Sequence, residues 1–397
     1  MGKRVVLAYS GGLDTSVAVG WLRLELGYEV IAVAVNVGQA VDFDALRERA
    51  TAAGALEVVV VDAREELLRD FAMPSLAANA LYEGRYPLVS ALSRPVIVRH
   101  LVAAARAHGA SAVAHGCTGK GNDQVRFDVG TRALAPDLEI VAPVRVWGMS
   151  REETIDYAEK HDIAVSVSRD RIYSIDSNIW GRSIECGILE DPWAAPPDDV
   201  FALTVPVATE PVEVTVGFER GVPVRLDGRD LGLVELVSEI GRVAGSVGFG
   251  RVDMVEGRRV GIKSREVYEA PAALALIMAH GDLEGLTLER DVAHEKARLE
   301  PRFAELVYDG MWFSPLRQAL SAFMASTQRS VTGDVRLRFS PGGGAEVVGR
   351  RSPAGLYVHD LATYDAADAF RHEDAEGFIR LWGLGIQTWS ARQGGAE

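Results

Sequence analysis

Ten residues near the start of the chain, Leu7-Ala8-Tyr9-Ser10-Gly11-Gly12-Leu13-Asp14-Thr15-Ser16, set two glycines and three hydroxyls between an apolar run (Val5-Val6-Leu7) and a helical pattern (Val17, Ala18, Trp21, Leu22). Two glycines let the backbone turn tightly and bring its N–H groups against a ligand, with no Cβ in the way. Ser10, Thr15 and Ser16 add hydroxyl donors, and the following helix directs its positive end at the same spot. This chemistry suits an anion, above all a pyrophosphate. A second run, Thr118-Gly119-Lys120-Gly121-Asn122-Asp123-Gln124-Val125-Arg126-Phe127, reads as a loop with two more glycines and side chains of opposite tasks. Arg126 can clamp a carboxylate with two parallel hydrogen bonds, and Asp123 can accept from an ammonium. Asn122 both donates and accepts, and Lys120 can neutralise charge on a phosphate. An amino-acid zwitterion needs such a mixed set.

The first run is not the phosphate loop that ends in Gly-Lys-[Ser/Thr], because no lysine follows its glycines. Nor is it a dinucleotide fingerprint, since no G-x-G-x-x-G follows the strand.

These residues need a frame to hold them. Strand patterns at 4–9, 29–35, 57–62, 112–115 and 140–144 alternate with helical ones at 15–26, 43–53, 63–71, 95–107 and 151–161. Continuous apolar strands between amphipathic helices predict a doubly wound parallel sheet, an α/β nucleotide-binding domain over residues 1–165. Such sheets bind ligands beyond the carboxyl ends of their strands. The Ser10 loop, the Asn36-Val37-Gly38-Gln39 loop and the His115-Gly116 loop should therefore open onto one crevice.

The Pro- and Asp-rich segment 191–199 reads as a break, and the pattern changes after it. A strand at 212–218, a turn at 221–224, helices at 230–244 and 272–280, and a hairpin of 335–339 with 346–349 predict an α+β second domain over 166–362. Residues 363–397 form a helical tail in which Phe378, Leu381, Trp382, Leu384, Ile386 and Trp389 are too many for a solitary exposed helix. They pack either on another subunit or on the chain's own body.

Composition sets outer limits. With 397 residues, 48% apolar and 25% charged, the chain reads as a soluble globular protein of two or three domains. A net charge of −14 argues against a nucleic-acid partner, though not against small anionic substrates. Basic side chains are 37 Arg and 5 Lys, so Lys120 and Lys263 stand out in their loop-like settings. Cys117 and Cys186 form no C-x-x-C pair, which disfavours a disulfide framework or zinc site and fits a reduced, cytoplasmic setting. No secretory leader is expected, and Val6 replaces the hydroxyl that N-myristoylation requires. No run approaches the roughly 20 apolar residues that span a bilayer.

The order Ser-Gly-Gly-x-Asp-[Ser/Thr] resembles the pyrophosphate loop of the ATP pyrophosphatase superfamily, whose members split ATP between the α and β phosphates and transfer AMP. Within it, the chain resembles the argininosuccinate synthase family from residue 5 to about 360. The resemblance rests on the two runs above, on Asn36-Val37-Gly38-Gln39, Leu81-Tyr82-Glu83-Gly84-Arg85-Tyr86, Gly187-Ile188-Leu189-Glu190 and Lys263-Ser264-Arg265-Glu266-Val267-Tyr268-Glu269, all in order. It implies an enzyme that condenses citrulline and aspartate with ATP and Mg²⁺ through a citrullyl-adenylate, as a homotetramer with an exchanged C-terminal helix.

By this resemblance Ala8, Tyr9, Ser10, Gly11, Gly12, Leu13, Asp14, Thr15 and Ser16, with Val35 and Gly116, would hold ATP. Tyr86, Asn122, Arg126, Ser174, Ser183, Glu256 and Tyr268 would hold citrulline, and Thr118, Asn122 and Asp123 aspartate. Asp14, Lys120 and Asp123 would stand nearest the chemistry. Asp14 would repel phosphates on its own, so it serves either as a magnesium-side ligand or as a brace for the loop; no metal ligand is assigned from the protein. One departure is visible: where the family often has Thr-Ser-Leu-Ala-Arg-Pro, this chain has Ser90-Ala91-Leu92-Ser93-Arg94-Pro95. The second hydroxyl is missing at Ala91, and Ser90 is the candidate to replace it. Loss of one neutral hydrogen bond costs about 0.5–1.5 kcal/mol, enough to change KM without abolishing activity.

Overall fold

β-branched runs in the first third of the chain build the parallel strands β1 (Arg4–Ala8), β2 (Glu29–Asn36), β3 (Glu57–Asp62), β4 (Ala112–Ala114) and β5 (Glu139–Val141) in the computed structural model, which describes residues 2–165, 173–365 and 368–394. Their spatial order is β3-β2-β1-β4-β5, all parallel. The helices of this region are α1 (Leu13–Leu24), α2 (Phe43–Ala52), α3 (Arg64–Leu67), α4 (Met73–Ala77), α5 (Val89–Ala107), α6 (Asn122–Leu134), α7 (Pro143–Trp147) and α8 (Arg151–Lys160). Alternate residues of a strand face opposite sides of its sheet. Accordingly Val5 and Leu7 pack with Val17, Leu22, Leu46 and Ile155 of α1, α2 and α8. Val6, Ile31 and Val33 pack on the other face with Leu92, Val96 and Leu101 of α5. Strand order reverses between β1 and β4, so the crevice for ligands lies beyond those two carboxyl ends.

Two antiparallel sheets follow. β6 (Ser174–Asn178), β7 (Gly181–Glu185), β11 (Arg251–Gly257) and β12 (Lys263–Glu269) form one in the order β11-β12-β7-β6. β8 (Val212–Glu219), β9 (Val222–Leu226), β10 (Arg229–Asp230), β13 (Gly333–Ser340) and β14 (Gly344–Arg351) form the other in the order β10-β9-β8-β13-β14. Helices α9 (Leu233–Gly245) and α10 (Pro271–Thr287) bury Ile240 and Leu276 with Val216 and Leu337 of the second sheet, and α11 (Arg290–Tyr308) and α12 (Pro315–Thr327) complete the body. One apolar core runs from α5 to α10, which makes residues 1–354 a single compact unit. The β6–β7 hairpin is pinned to the parallel sheet where Ile179 N–H donates to the Val37 carbonyl at 2.8 Å. Gly38 beside it has φ +103°, and a Cβ there would lie 2.7 Å from the Ile179 nitrogen, so only glycine fits.

Residues 355–397 form a second unit that carries α13 (His359–Ala362) and α14 (His372–Gln393). Phe378, Ile379, Leu381, Trp382, Leu384, Ile386 and Trp389 of α14 are all exposed, Trp382 by 80%. Among the described residues, no helix is long and apolar enough to cross a membrane.

Some expectations needed correction. The stretch 63–71 is α3, then a wider π turn over Leu68–Ala72 leading into α4. The 140–144 strand stops at Val141 because Pro143 opens α7, its missing N–H being harmless at a helix start. Residues 221–224 were expected as a turn, yet Val222–Leu226 is strand β9, with Pro223 tolerated where β8 and β9 slip register. α5 begins at Val89, six residues before Pro95, which stands inside the helix. The expected domain boundary at 166 falls outside the described residues.

Candidate active site

β1 and β4 are neighbours, so the loops leaving their carboxyl ends lie side by side. Each feeds a helix capped by glycine: Gly12 (φ −75°, ψ 174°) before α1 and Gly121 (φ −82°, ψ 153°) before α6. Neither cap supplies a side-chain acceptor, so two helix N-termini present first-turn N–H groups and positive dipole ends at the same place. Gly11 has φ +75°, and a Cβ there would lie 3.1 Å from Arg49 Nη2, which fixes glycine at the sharpest point of the loop. Hydroxyls brace the turn, with Ser10 Oγ 3.1 Å from Thr15 Oγ1 and Tyr9 Oη 3.1 Å from Ser16 Oγ.

The second run corrects the sequence reading. Only 115–121 is loop; Asn122, Asp123 and Arg126 stand on the first turns of α6. Burial of Arg126, Phe127, Gly130 and Thr131 follows the helical period, and Asp123 and Arg126 pair at i,i+3.

Both runs open into one cavity of about 540 Å³. Ala8, Tyr9, Ser10, Asp14, Thr15, Val35 and Gly116, at the carboxyl ends of β1, β2 and β4, line one side of it. Tyr86, Ser90, Thr118, Asn122, Asp123, Arg126, Ser174, Ser183, Glu256 and Tyr268 also line it. The crevice expected from strand order is therefore present, closed over by β6, β7, β11 and β12. Gly11, Gly12, Leu13, Ser16 and Lys120 do not reach the wall: Leu13 and Ser16 are buried behind it, and Lys120 is exposed. Lys120 contributes its carbonyl, 3.4 Å from Arg258 Nη1. Ala91 is packed in the core, and Ser90 is the hydroxyl of that turn on the cavity, 3.3 Å from Ser183 Oγ.

Charges in the cavity are tightly coupled. Burial raises the Asp14 carboxyl above its ordinary value, and Arg151 opposes the shift. Burial acts on Asp123 in the same sense, but Arg94 and Arg126 outweigh it and hold that carboxyl at about 2. Arg94 Nη2 reaches Asp123 at 2.7 Å and Asp176 at 2.8 Å, while its Nε is buried without a hydrogen-bond partner among the described residues. Arg126 donates from Nη1 to Asp123 (2.9 Å) and from Nε to the Tyr308 carbonyl (3.0 Å), which among the described residues leaves Nη2 for a ligand. Glu256, 2% exposed, accepts from Tyr268 at 2.7 Å and Tyr308 at 2.5 Å. Burial raises its carboxyl, with those two hydroxyls pulling the other way. Arg258 bridges Glu185 and Glu266, both at 2.6 Å, and burial together with Glu185 pushes the Glu266 carboxyl up. Burial also pushes both thiols up, Cys117 far above its usual value, which is the reverse of what a reactive cysteine needs.

Sequence reasoning missed Arg94, Asp176, Arg258, Glu266 and Tyr308 as cavity residues. Arg94 lay in the departing string already noted, but nothing local in the sequence places it beside Asp123, 29 residues further on.

The family model for the argininosuccinate synthase N-terminal HUP domain matches residues 4–164, and that for the C-terminal domain matches 173–389. The chain belongs to the argininosuccinate synthase family. It is 56% identical to the argininosuccinate synthase of Gloeobacter violaceus over 98% of each chain. The Rubrobacter xylanophilus enzyme of that name is also 56% identical, over 98% of this chain and 95% of its own. That of Brevibacillus brevis is 54% identical, over 98% and 93%.

Proposed function

We propose that this chain condenses citrulline with aspartate at the expense of ATP, forming argininosuccinate, AMP and pyrophosphate in arginine biosynthesis. One observation carries the reading: a phosphate-type loop at the sheet's switch point shares a single cavity with an amino-acid-type set, Asn122, Asp123, Arg126, Glu256 and Tyr268. The ureido oxygen of citrulline attacks the α-phosphorus and pyrophosphate leaves, giving citrullyl-adenylate. The aspartate amine, having lost its proton, then attacks the ureido carbon and AMP departs.

The N–H groups of the Ser10–Thr15 turn and the start of α1 stabilise charge growing on the leaving pyrophosphate. Fixed donors matter most in a site shielded from water, where they need no reorganisation. Arg126 takes the α-carboxylate of citrulline, and Glu256 accepts from its α-ammonium. Asp123, ionised at neutral pH by Arg94 and Arg126, accepts from the aspartate ammonium together with Thr118 and Asn122. Of the carboxylates that line the cavity, Asp14 is the one in the Ser10–Ser16 run, so a metal held on phosphate oxygens would meet it there. That pattern suits Mg²⁺, which keeps few protein ligands and would neutralise charge on the departing phosphates. Lys120, exposed as it is, reaches phosphate only if its loop folds inward. The domain division at 165/166 and 362/363 and a cytoplasmic setting belong to this reading. The exposed apolar face of α14 supports assembly as a homotetramer through the tail.

Pyrophosphate release from Mg-ATP, measured with both amino acids and with each omitted, tests it. Release should require citrulline, and argininosuccinate and AMP should accumulate only with aspartate present. ATP binding with no pyrophosphate under any combination would leave a nucleotide sensor and overturn the reading.

A further inference from the structure

Tyr308 ends α11, 182 residues beyond Arg126, yet it touches three of the citrulline-side residues at once. Its hydroxyl accepts from Asn122 Nδ2 at 2.7 Å and donates to Glu256 Oε1 at 2.5 Å. Its carbonyl accepts from Arg126 Nε at 3.0 Å, and its ring lies under the Arg126 guanidinium at 5.0 Å. The ring is itself fixed, stacked on Tyr82 at 3.5 Å and edge-on to Tyr86 at 6.2 Å. Asn122 Oδ1 accepts from the Arg259 N–H at 3.0 Å, so with Tyr308 in place its amide has one orientation.

We propose that Tyr308 is a positioning residue for citrulline, holding Asn122, Arg126 and Glu256 in one binding-competent arrangement through its hydroxyl, ring and carbonyl. The inference rests on the functional reading above. A phenol is well suited to the task, because its one oxygen can accept from an amide and donate to a carboxylate together. Two hydrogen bonds to Glu256, from Tyr268 and Tyr308, favour the ionised carboxylate against its burial. The other charged groups acting on that carboxylate are Arg126 and Arg258, which favour ionisation, and Glu266, which opposes it.

Tyr308→Phe keeps the ring and carbonyl and removes only the hydroxyl. The variant should raise the citrulline KM about tenfold while the ATP KM stays within about twofold, as expected for losing a charge-assisted hydrogen bond. The acid limb of kcat/KM for citrulline should move to higher pH, because Glu256 loses a group that favours its ionised form. The thermal shift produced by citrulline, read against each variant's own ligand-free midpoint, should shrink as well, so reduced stability cannot imitate the effect. Equal changes in both KM values, or an acid limb that does not move, would overturn the proposal. A wild-type protein that releases no pyrophosphate with citrulline would overturn the functional reading instead.

Discussion

Arg94, Arg126, Asp123 and Asp176 make one buried ionic cluster in this chain; Lys296, Glu284 and Glu300, with His280, Asn79 and Gln328, make another. In the second cluster Lys296, 1% exposed, reaches Glu284 at 2.9 Å and Glu300 at 2.5 Å. Asn79 Nδ2 donates to both carboxylates, Gln328 Nε2 donates to Glu284, and His280 bridges the Asn79 and Gln328 amides. That cluster ties α10, α11, the turn after α4 and the end of α12 together, and none of its residues lines the cavity of the site. The first cluster is incomplete by the same standard. Among the described residues Arg94 Nε is buried without a partner and Arg126 Nη2 makes no hydrogen bond, while Asp123 and Asp176 are 29% and 37% exposed. Closed networks fix helices, whereas an open one holds back hydrogen-bonding capacity for a ligand.

The contrast can be broken from either side. Lys296→Met leaves the buried Glu284 and the partly buried Glu300 without their cation and should cost about 3–5 kcal/mol of stability. Urea unfolding would read that loss, with kcat unchanged for the fraction still folded; lost activity at undiminished stability would erase the distinction. Asp123→Ala should cost less stability, because Arg94 keeps Asp176 and Arg126 keeps the Tyr308 carbonyl. It should instead raise the aspartate KM by about 10–100-fold, the value of a hydrogen bond to a charged group. Equal damage to ATP binding would remove Asp123 from its assigned role.

Arg126→Lys should raise the citrulline KM about tenfold, since one ammonium cannot serve Asp123, the Tyr308 carbonyl and a carboxylate together. Ser90→Ala should have the smallest effect, about 0.5–1.5 kcal/mol on citrulline binding. Acid titration sharpens the same contrast. The Asp123 carboxyl is depressed to about 2 from an ordinary 3.8. Its contribution to stability is therefore complete above the ordinary value and lost as pH falls through about 2. The stability difference between wild type and Asp123→Asn should vanish over that window and persist at neutral pH.

The parts of the cavity differ in how far the sequence exposes them. The phosphate loop was legible because its glycines, hydroxyls, strand and helix are contiguous, and backbone chemistry there is local. Asp123 and Arg126 were legible by type, although their helix was read as a loop because polar residues occupy its first turn. Tyr308, Arg94 and Asp176 carry no local signature; only the packing of α11 and β6 beside α5 and α6 gives them a role. Strand β12 (Lys263–Glu269) was seen as a motif and not as a strand, since charged residues with separate tasks, Arg265 on Asp253 and Glu266 on the cavity, interrupt the alternation that marks a strand. The five-stranded parallel sheet was readable almost residue by residue, because burial on both faces leaves continuous apolar runs.

The central claim is that the ureido oxygen reacts at phosphorus inside this one cavity. Citrulline carrying ¹⁸O in the ureido group, incubated with Mg-ATP and aspartate, tests it most directly. The account predicts one labelled oxygen in the phosphate of AMP and none in pyrophosphate. Argininosuccinate formed with unlabelled AMP would contradict it.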